Sequence, residues 1–310
     1  MSSFKPTFNQ SGRSLVEVMI ALTIGLVILV SITSLFSSSK QSARATDDKG
    51  RLEEDGRLAL NLLAFHLRMA GYGELTNPSV IAVNNTNLMS SSSASTQMDG
   101  IEGCSGGFSS PATVTRGCVS TPPATAADGV LVRYVVDQAN ANTTSGGLPA
   151  DCLGAAIIRS PQVVENRFYV AISPTTGMSE LYCQGSGQTL AGALTFTNVA
   201  QPIAENIQDL KITYGFGYDY VNAVDTQTVD RYISASQVDA MPLPGSGSQW
   251  SKVISVKICV VARSANDGVA TASQKYRDCA GSIVTPSDRR LYQTFSTVVA
   301  LRSRAAGSLN

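Results

Sequence analysis

The chain has 310 residues, enough for one large domain or two small ones with a buried core. Its 23 basic and 23 acidic residues cancel, so no net field recruits nucleic acid or anionic lipid by charge. Only 15% of residues are charged and the rest leans on Ser, Thr, Ala, Gly, Asn and Gln, a composition closer to an exported surface protein than to a cytosolic enzyme.

The N-terminal stretch SGRSLVEVMIAL, residues 11–22, sets one carboxylate, Glu17, at the head of a long apolar run. Leu15 to Phe36 is dominated by Leu, Ile and Val, and no charge falls between Val18 and Ser39. As a helix that charge-free stretch reaches roughly 33 Å, enough to cross a hydrocarbon core of about 30 Å. Ser37, Ser38 and Ser39 follow the run, as small residues follow a secretory signal, but the run exceeds a signal core and the helical pattern continues past it, which favours retention. Lys5 and Arg13 flank one side while Lys40, Arg44, Lys49 and Arg51 flank the other. That count does not favour an inside N-terminus; the cysteines argue the opposite, that residues 100–310 face an oxidising space.

An acid in a span costs free energy, less near the end than at the centre, so Glu17 calls for a partner. One candidate is Arg13, a helical turn back, although that order of charges is the weaker one on a helix. The other is a new amino terminus made by cutting between Gly12 and Arg13, whose ammonium on a neighbouring subunit pairs with Glu17 in low dielectric.

Beyond the span the chain reads as an amphipathic helix. Leu52, Ala59, Leu63, Leu67 and Ala70 fall on one stripe, with Leu60 and Leu62 beside it and charges opposite. Gly71 and Gly73 end it, and His66 is expected on the partly exposed stem surface. If the two helical segments are continuous, residues 14–70 make a rod of roughly 85 Å, with Gly25, Gly50 and Gly56 as points that loosen it.

Residues 77–128 are rich in Ser, Thr, Gly and Pro and read as a long surface loop. All six cysteines, Cys104, Cys118, Cys152, Cys183, Cys259 and Cys279, lie beyond residue 100, and no pair is spaced C-x-x-C. Disulfides in an oxidising compartment are therefore the better reading than zinc or thioredoxin-like chemistry. Six cysteines permit fifteen pairings; short loops favour neighbours, Cys104 with Cys118, Cys152 with Cys183 and Cys259 with Cys279. Strand signals recur at 129–136, 167–172, 179–183, 207–216, 252–262 and 291–301. In the fifth, Ile254, Val256, Ile258 and Val260 share one face. A helix followed by a run of strands is an α+β pattern.

Other motifs carry less. GCSGG, residues 103–107, fits G-x-S-x-G, but that elbow needs a strand leading into a helix and a later histidine, and His66 precedes it. Asp219, Asp225 and Asp230 share a polar loop without the spacing of a calcium loop. The aromatics of YGFGYDY, Tyr214 to Tyr220, read as core rather than contact patch.

Gly12, four residues, then Glu17 leading into VMIALTIGLVILV resembles the type III leader and N-terminal helix of type IV pilins and type II secretion pseudopilins. GRLALNLLAFHLRMAGYGE, IAENIQDLKITYG, VISVKICVVARS and LYQTFSTVVALRSR are similar to segments of the PilW family of minor pilins. The resemblance implies an α+β, pilin-like fold: a long N-terminal helix packed on an antiparallel sheet head with disulfides. It divides the chain into a cleaved leader (1–12), a transmembrane and assembly helix (13–36), an amphipathic stem (37–72) and a head (73–310). A prepilin peptidase would cut between Gly12 and Arg13, where the family usually carries an N-methylated Phe, and Glu17 would set the register between subunits.

The implied function is non-catalytic: priming pilus assembly and sitting at or near the tip, in support of twitching motility and adhesion. Implied partners are other minor pilins, the major pilin, the prepilin peptidase and a tip adhesin of the PilY kind; no cofactor, metal or nucleic acid is implied. The implied location is the inner membrane with a periplasmic head, then the extracellular pilus tip. The alternatives are a minor pseudopilin of type II secretion and a periplasmic protein that uses the helix as a tether.

Overall fold

The structure, a computed structural model, describes residues 14–72, 88–90, 97–113, 115–136, 142–157, 162–187, 196, 198–219, 222, 224–226, 228–242, 248–301 and 303. The chain divides into two compact units, Met1–Asp48 and Lys49–Asn310, with one helix, α1 (Leu15–Met69), contributing to both.

α1 runs without a proline, and its first turn closes on the Ser14 carbonyl, which accepts from the Glu17 and Val18 N–H groups at 3.0 and 3.3 Å. It ends where Gly71 takes φ +73°, a left-handed position that favours glycine. In the second unit the predicted stripe is the buried one: Leu52, Ala59, Leu63, Leu67 and Ala70 are each 2% exposed or less. Full burial of a leucine is worth about 1.5–3 kcal/mol, so these contacts, more than helix propensity, hold this half of α1. Gly56 is a packing notch here, since a Cβ added to it would lie 2.3 Å from the Phe295 ring.

α1 packs on two antiparallel sheets that share a single hydrophobic core with it. The first is a five-stranded meander of β1 (Ile101–Cys104), β2 (Gly129–Val136), β3 (Gln162–Ile172), β4 (Ser179–Gly185) and β5 (Gln201–Ala204), in that spatial order. The second contains β6 (Ile207–Phe216), β7 (Arg231–Ile233), β8 (Val253–Arg263) and β9 (Tyr292–Ala300), ordered β7-β6-β8-β9. Tyr214 faces Val256, Ile212 faces Ile258, and Val260 faces Phe295; these alternate residues line the core, as period-two patterning requires. Tyr214, Phe216 and Tyr218 are core residues too. Between β5 and β6, Asn206 adopts φ 57° and its side-chain amide donates to Asp55 on α1 at 3.0 Å.

Residues 77–128 are not simply a surface loop. β1 lies inside that region, paired with β2 (Ile101 with Val132, Cys104 with Gly129). The segment after it folds back over the far side of the sheet, where Phe108 packs on Leu131 and meets Tyr169 edge-to-face. As a result every residue of β2 is buried. Disulfides Cys104–Cys118, Cys152–Cys183 and Cys259–Cys279 join sequence neighbours. Closing loops of this length is worth about 3 kcal/mol each in chain-entropy terms.

The end of α1 is stitched to the sheet. The Gly71 N–H donates to the Arg133 carbonyl at 2.8 Å, and the Val135 N–H donates to the Tyr72 carbonyl at 2.8 Å. Gly100 crosses Gly71 so closely that a Cβ on it would sit 2.4 Å from the Gly71 Cα and N atoms. Backbone, not a movable side chain, blocks that space, so Gly100→Ala is expected to cost about 1–3 kcal/mol and to lower the melting temperature by several degrees. Gly146→Ala, at an open turn, should leave it within a degree or so; equal melting temperatures for the two variants would contradict the packing argument.

Candidate assembly surface

Gly12 and Arg13 lie outside the described residues. Glu17 is exposed in the first turn of α1, where a carboxylate opposes the positive end of the helix dipole. Ser14 stands three residues before it, the S-x-x-E spacing of a capping box, a local signal that the apolar run overshadows in the sequence. From Leu15 to Phe36 the large apolar side chains are exposed, for example Leu15 at 75%, Leu26 at 64% and Phe36 at 69%. An apolar surface of this extent marks a membrane or a protein contact, and the helix is long and apolar enough to cross a membrane. Its polar groups suit lipid as well. The hydroxyls of Thr23, Ser31 and Thr33 bond back to the carbonyls of Ile20, Val27 and Leu29 at 2.7–2.8 Å, so none needs water.

In the head, charges in otherwise apolar strands meet beneath the segment that follows β1. Glu165 Oε1 receives Arg167 Nε at 2.5 Å, and its Oε2 receives Arg133 Nε at 2.5 Å. Arg133 Nη1 then reaches Glu102 Oε1 at 2.8 Å, Glu102 Oε2 pairs with Arg116 Nε at 3.2 Å, and Arg116 Nη2 reaches Asp239 at 2.8 Å. Asp239 belongs to α2 (Ala235–Asp239) and also accepts from the Trp250 indole at 2.7 Å. Burial works against the charge on Arg133, but Glu102 and Glu165 outweigh it and hold the guanidinium protonated. Arg167 donates further to the carbonyls of Pro111 and Thr113 at 2.9 and 2.6 Å and stacks 4.3 Å from the Phe196 centroid. Three guanidiniums and three carboxylates thus pin the segment after β1 and α2 to the five-stranded sheet. Arg133 within GVLVRYVV and Glu165 and Arg167 within β3 were the visible signals, since a mid-strand charge in an apolar run calls for a partner.

His66 is not on the stem surface. It is 3% exposed, with its ring 5.0 Å from the Phe168 ring and Nδ1 3.1 Å from the Tyr134 hydroxyl. Asn166 Oδ1 accepts the Cys152 N–H and its Nδ2 donates to the Tyr134 hydroxyl at 3.0 Å. The phenol oxygen and His66 Nδ1 share a hydrogen bond whose direction follows the tautomer of the imidazole. Burial lowers His66 to about 4. Ser105, from the GCSGG stretch, is not brought to this histidine: its hydroxyl instead accepts the Ser236 N–H at 3.1 Å at the start of α2. Asp219 accepts from Asn222 and Asp230 from the Thr226 hydroxyl. Among the described residues no group of three His, Cys, Asp or Glu could hold a metal ion.

A cleft of about 630 Å³ lies between β6, the segment before β2 and the Cys279 loop, lined by Asp128, Gln208, Asp209, Lys211, Tyr276 and Asp278 among others. Asp128, Lys211 and Asp278 of this lining bond within the fold. Asp128 accepts the N–H groups of Gly106 and Ile212 at 3.0 and 2.9 Å, and burial raises both Asp128 and Asp209.

The fold and this surface define an α+β protein whose exposed apolar helix fits membrane anchoring of a disulfide-tied head. Residues 167–303, from β3 past the end of β9, match the family model described as Type IV Pilus-assembly protein W, PilW. A type IV-like pilin from Thermus thermophilus is similar in structure at 13% identity and a TM-score of 0.40, over 82% of this chain and 98% of that one. No curated protein matches the sequence.

Proposed function

We propose that this chain is a non-catalytic minor pilin of the PilW kind. The observation that carries the reading is the joint occurrence of the PilW match over residues 167–303 and an exposed apolar helix that opens on Glu17. In this reading a prepilin peptidase cuts between Gly12 and Arg13 on the cytoplasmic face, and the helix holds the protein in the inner membrane with its head in the periplasm. The Arg13 ammonium of one subunit pairs with Glu17 of another as helices bundle, which offsets the cost of the acid in lipid and sets their register. The head meets other minor pilins, the major pilin and a tip adhesin of the PilY kind, at or near the extracellular tip, and supports twitching motility and adhesion.

The test is the N-terminal sequence and intact mass of membrane-extracted protein made with and without a prepilin peptidase, together with piliation of a Glu17→Ala strain. The expected result is a terminus at Arg13 only with the peptidase, and loss of surface pili in the variant despite normal protein levels. A terminus at Met1 in both preparations, or full piliation of the Glu17→Ala strain, would leave the helix as a tether. Blocked exoprotein release with normal motility would instead favour a secretion pseudopilus.

A further inference from the structure

The cleft beside β6, about 630 Å³ in volume, has the size of an ordinary small-molecule site. Asp209, Lys211 and Thr213 line it from β6, the segment before β2 makes one wall, and the hairpin around Cys279 makes the other. A disulfide fixes that second wall: Cys259 pairs with Lys211 across β8 and β6 and ties the hairpin down through Cys279. Between Ile207 and Asp209 the pairing of β6 with β8 shifts register, which leaves Gln208 as the extra residue of a bulge, a device that re-aims side chains beside binding sites. Gln208 Oε1 lines the cleft and is buried with no hydrogen-bond partner among the described residues. Folded chains rarely keep such an orphaned acceptor without a role for it. Its neighbour Asp209 accepts the Leu210 N–H on Oδ1 at 2.8 Å, and its Oδ2 makes no hydrogen bond among the described residues. The Tyr276 hydroxyl, whose ring stacks on Tyr292 at 4.7 Å, stands in the field of Asp209 and Asp278, which add to the effect of burial and raise it.

We propose that this cleft binds a guanidinium group, with Asp209 and Gln208 as its acceptors. Charge points to a cation. Three carboxylates, Asp128, Asp209 and Asp278, stand in the lining against one ammonium, Lys211, and that ammonium already donates to the carbonyls of Ala124 and Ala126. A neutral polyol would satisfy an orphaned acceptor but leave the excess negative charge unanswered. A metal ion does not fit, because no group of three His, Cys, Asp or Glu among the described residues could hold one. Among organic cations, a guanidinium offers five N–H donors in a planar fork and is more weakly hydrated than an ammonium, so it can serve a carboxylate and an amide oxygen together and costs less to bring into a half-enclosed site. The inference stands on the geometry of the second unit and does not depend on the processing or location proposed above.

The test is calorimetric titration of the full chain in phosphatidylcholine nanodiscs, with empty nanodiscs as the blank. The probes are N-acetyl-arginine methylamide, its neutral citrulline counterpart, agmatine and methyl glucoside. The arginine derivative is expected to bind saturably with a Kd of about 0.1–1 mM, and the citrulline one at least about tenfold more weakly. Asp209→Asn should weaken arginine binding about tenfold, and Gln208→Ala about threefold, with melting temperatures that do not fall, since each variant removes a group that lacks a full set of partners. Agmatine binding as tightly as the arginine derivative would support the proposal with a free guanidino compound as the source; tighter binding of the derivative would support it with arginine in a polypeptide as the source. No saturable binding of either below about 10 mM, equal affinity for the citrulline counterpart, or affinity that survives both variants would overturn it. So would saturable binding of methyl glucoside alone, because the orphaned acceptor would then belong to a sugar site.

Discussion

Glu165→Ala will destabilise the head by about 3–5 kcal/mol, the range for a buried charge stripped of its partner. Glu165 is fully buried and each of its oxygens serves a different guanidinium, Arg133 and Arg167. Without it Arg167, also fully buried, loses the carboxylate at its Nε, whereas Arg133 keeps Glu102. Chemical denaturation of the detergent-extracted protein measures the loss. Adding Arg167→Met to Glu165→Ala should restore part of it, since the buried guanidinium that lost Glu165 is then replaced by an apolar side chain. A loss under about 1 kcal/mol for the single variant would mean that water reaches the two arginines and the pairs are worth no more than surface ones.

The second large effect is an acid-side loss of stability centred on His66. The folded pKa is lowered to about 4 while the unfolded chain keeps the ordinary 6.5, so between these values the unfolded state binds more protons. Stability from this group is therefore full above about pH 6.5, falls as the pH drops, and has lost about 3 kcal/mol once the pH passes below 4. Asp128, Asp151 and Asp209, all raised by burial, act with the opposite sign near the lower end of the window. Hence the measurement is a difference: denaturation midpoints from pH 7.5 to 4.5 for the wild type and for His66→Gln, whose amide can still hydrogen-bond Tyr134 but does not titrate. The wild type should lose more of its midpoint over that range than the variant. Parallel curves would show that His66 protonates in place without cost.

Where a segment's own period decided its environment, the chain was readable. The buried stripe from Leu52 to Ala70 follows from 3.6-residue spacing, and β6 and β8 follow from alternation around Ile212 and Val256. Cysteines that close short loops pointed to their neighbours. What stayed hidden depends on partners far along the chain. β1 looks like loop because Ile101–Cys104 is four residues in a Ser- and Gly-rich stretch and gains its identity only from β2, more than twenty residues on. His66 sits at the margin of the buried stripe, and only the arrival of Tyr134, Asn166 and Phe168 from the sheet makes it interior. Glu102, Arg116 and Asp239 give no local sign of belonging together.

The junction at Gly71 and Tyr72 bears on how the molecule carries force. A pull along α1 does not arrive at a loose tether; it passes into peptide groups already bonded to Arg133 and Val135 in β2, a strand paired on both edges and buried along its whole length. Load therefore spreads across several strands at once, and the leucines of α1 must slide past the sheet together rather than peel away one at a time. Lengthening the link after Met69 with a few flexible residues would concentrate the same tension on fewer bonds, and the head would part from its stem at a lower force.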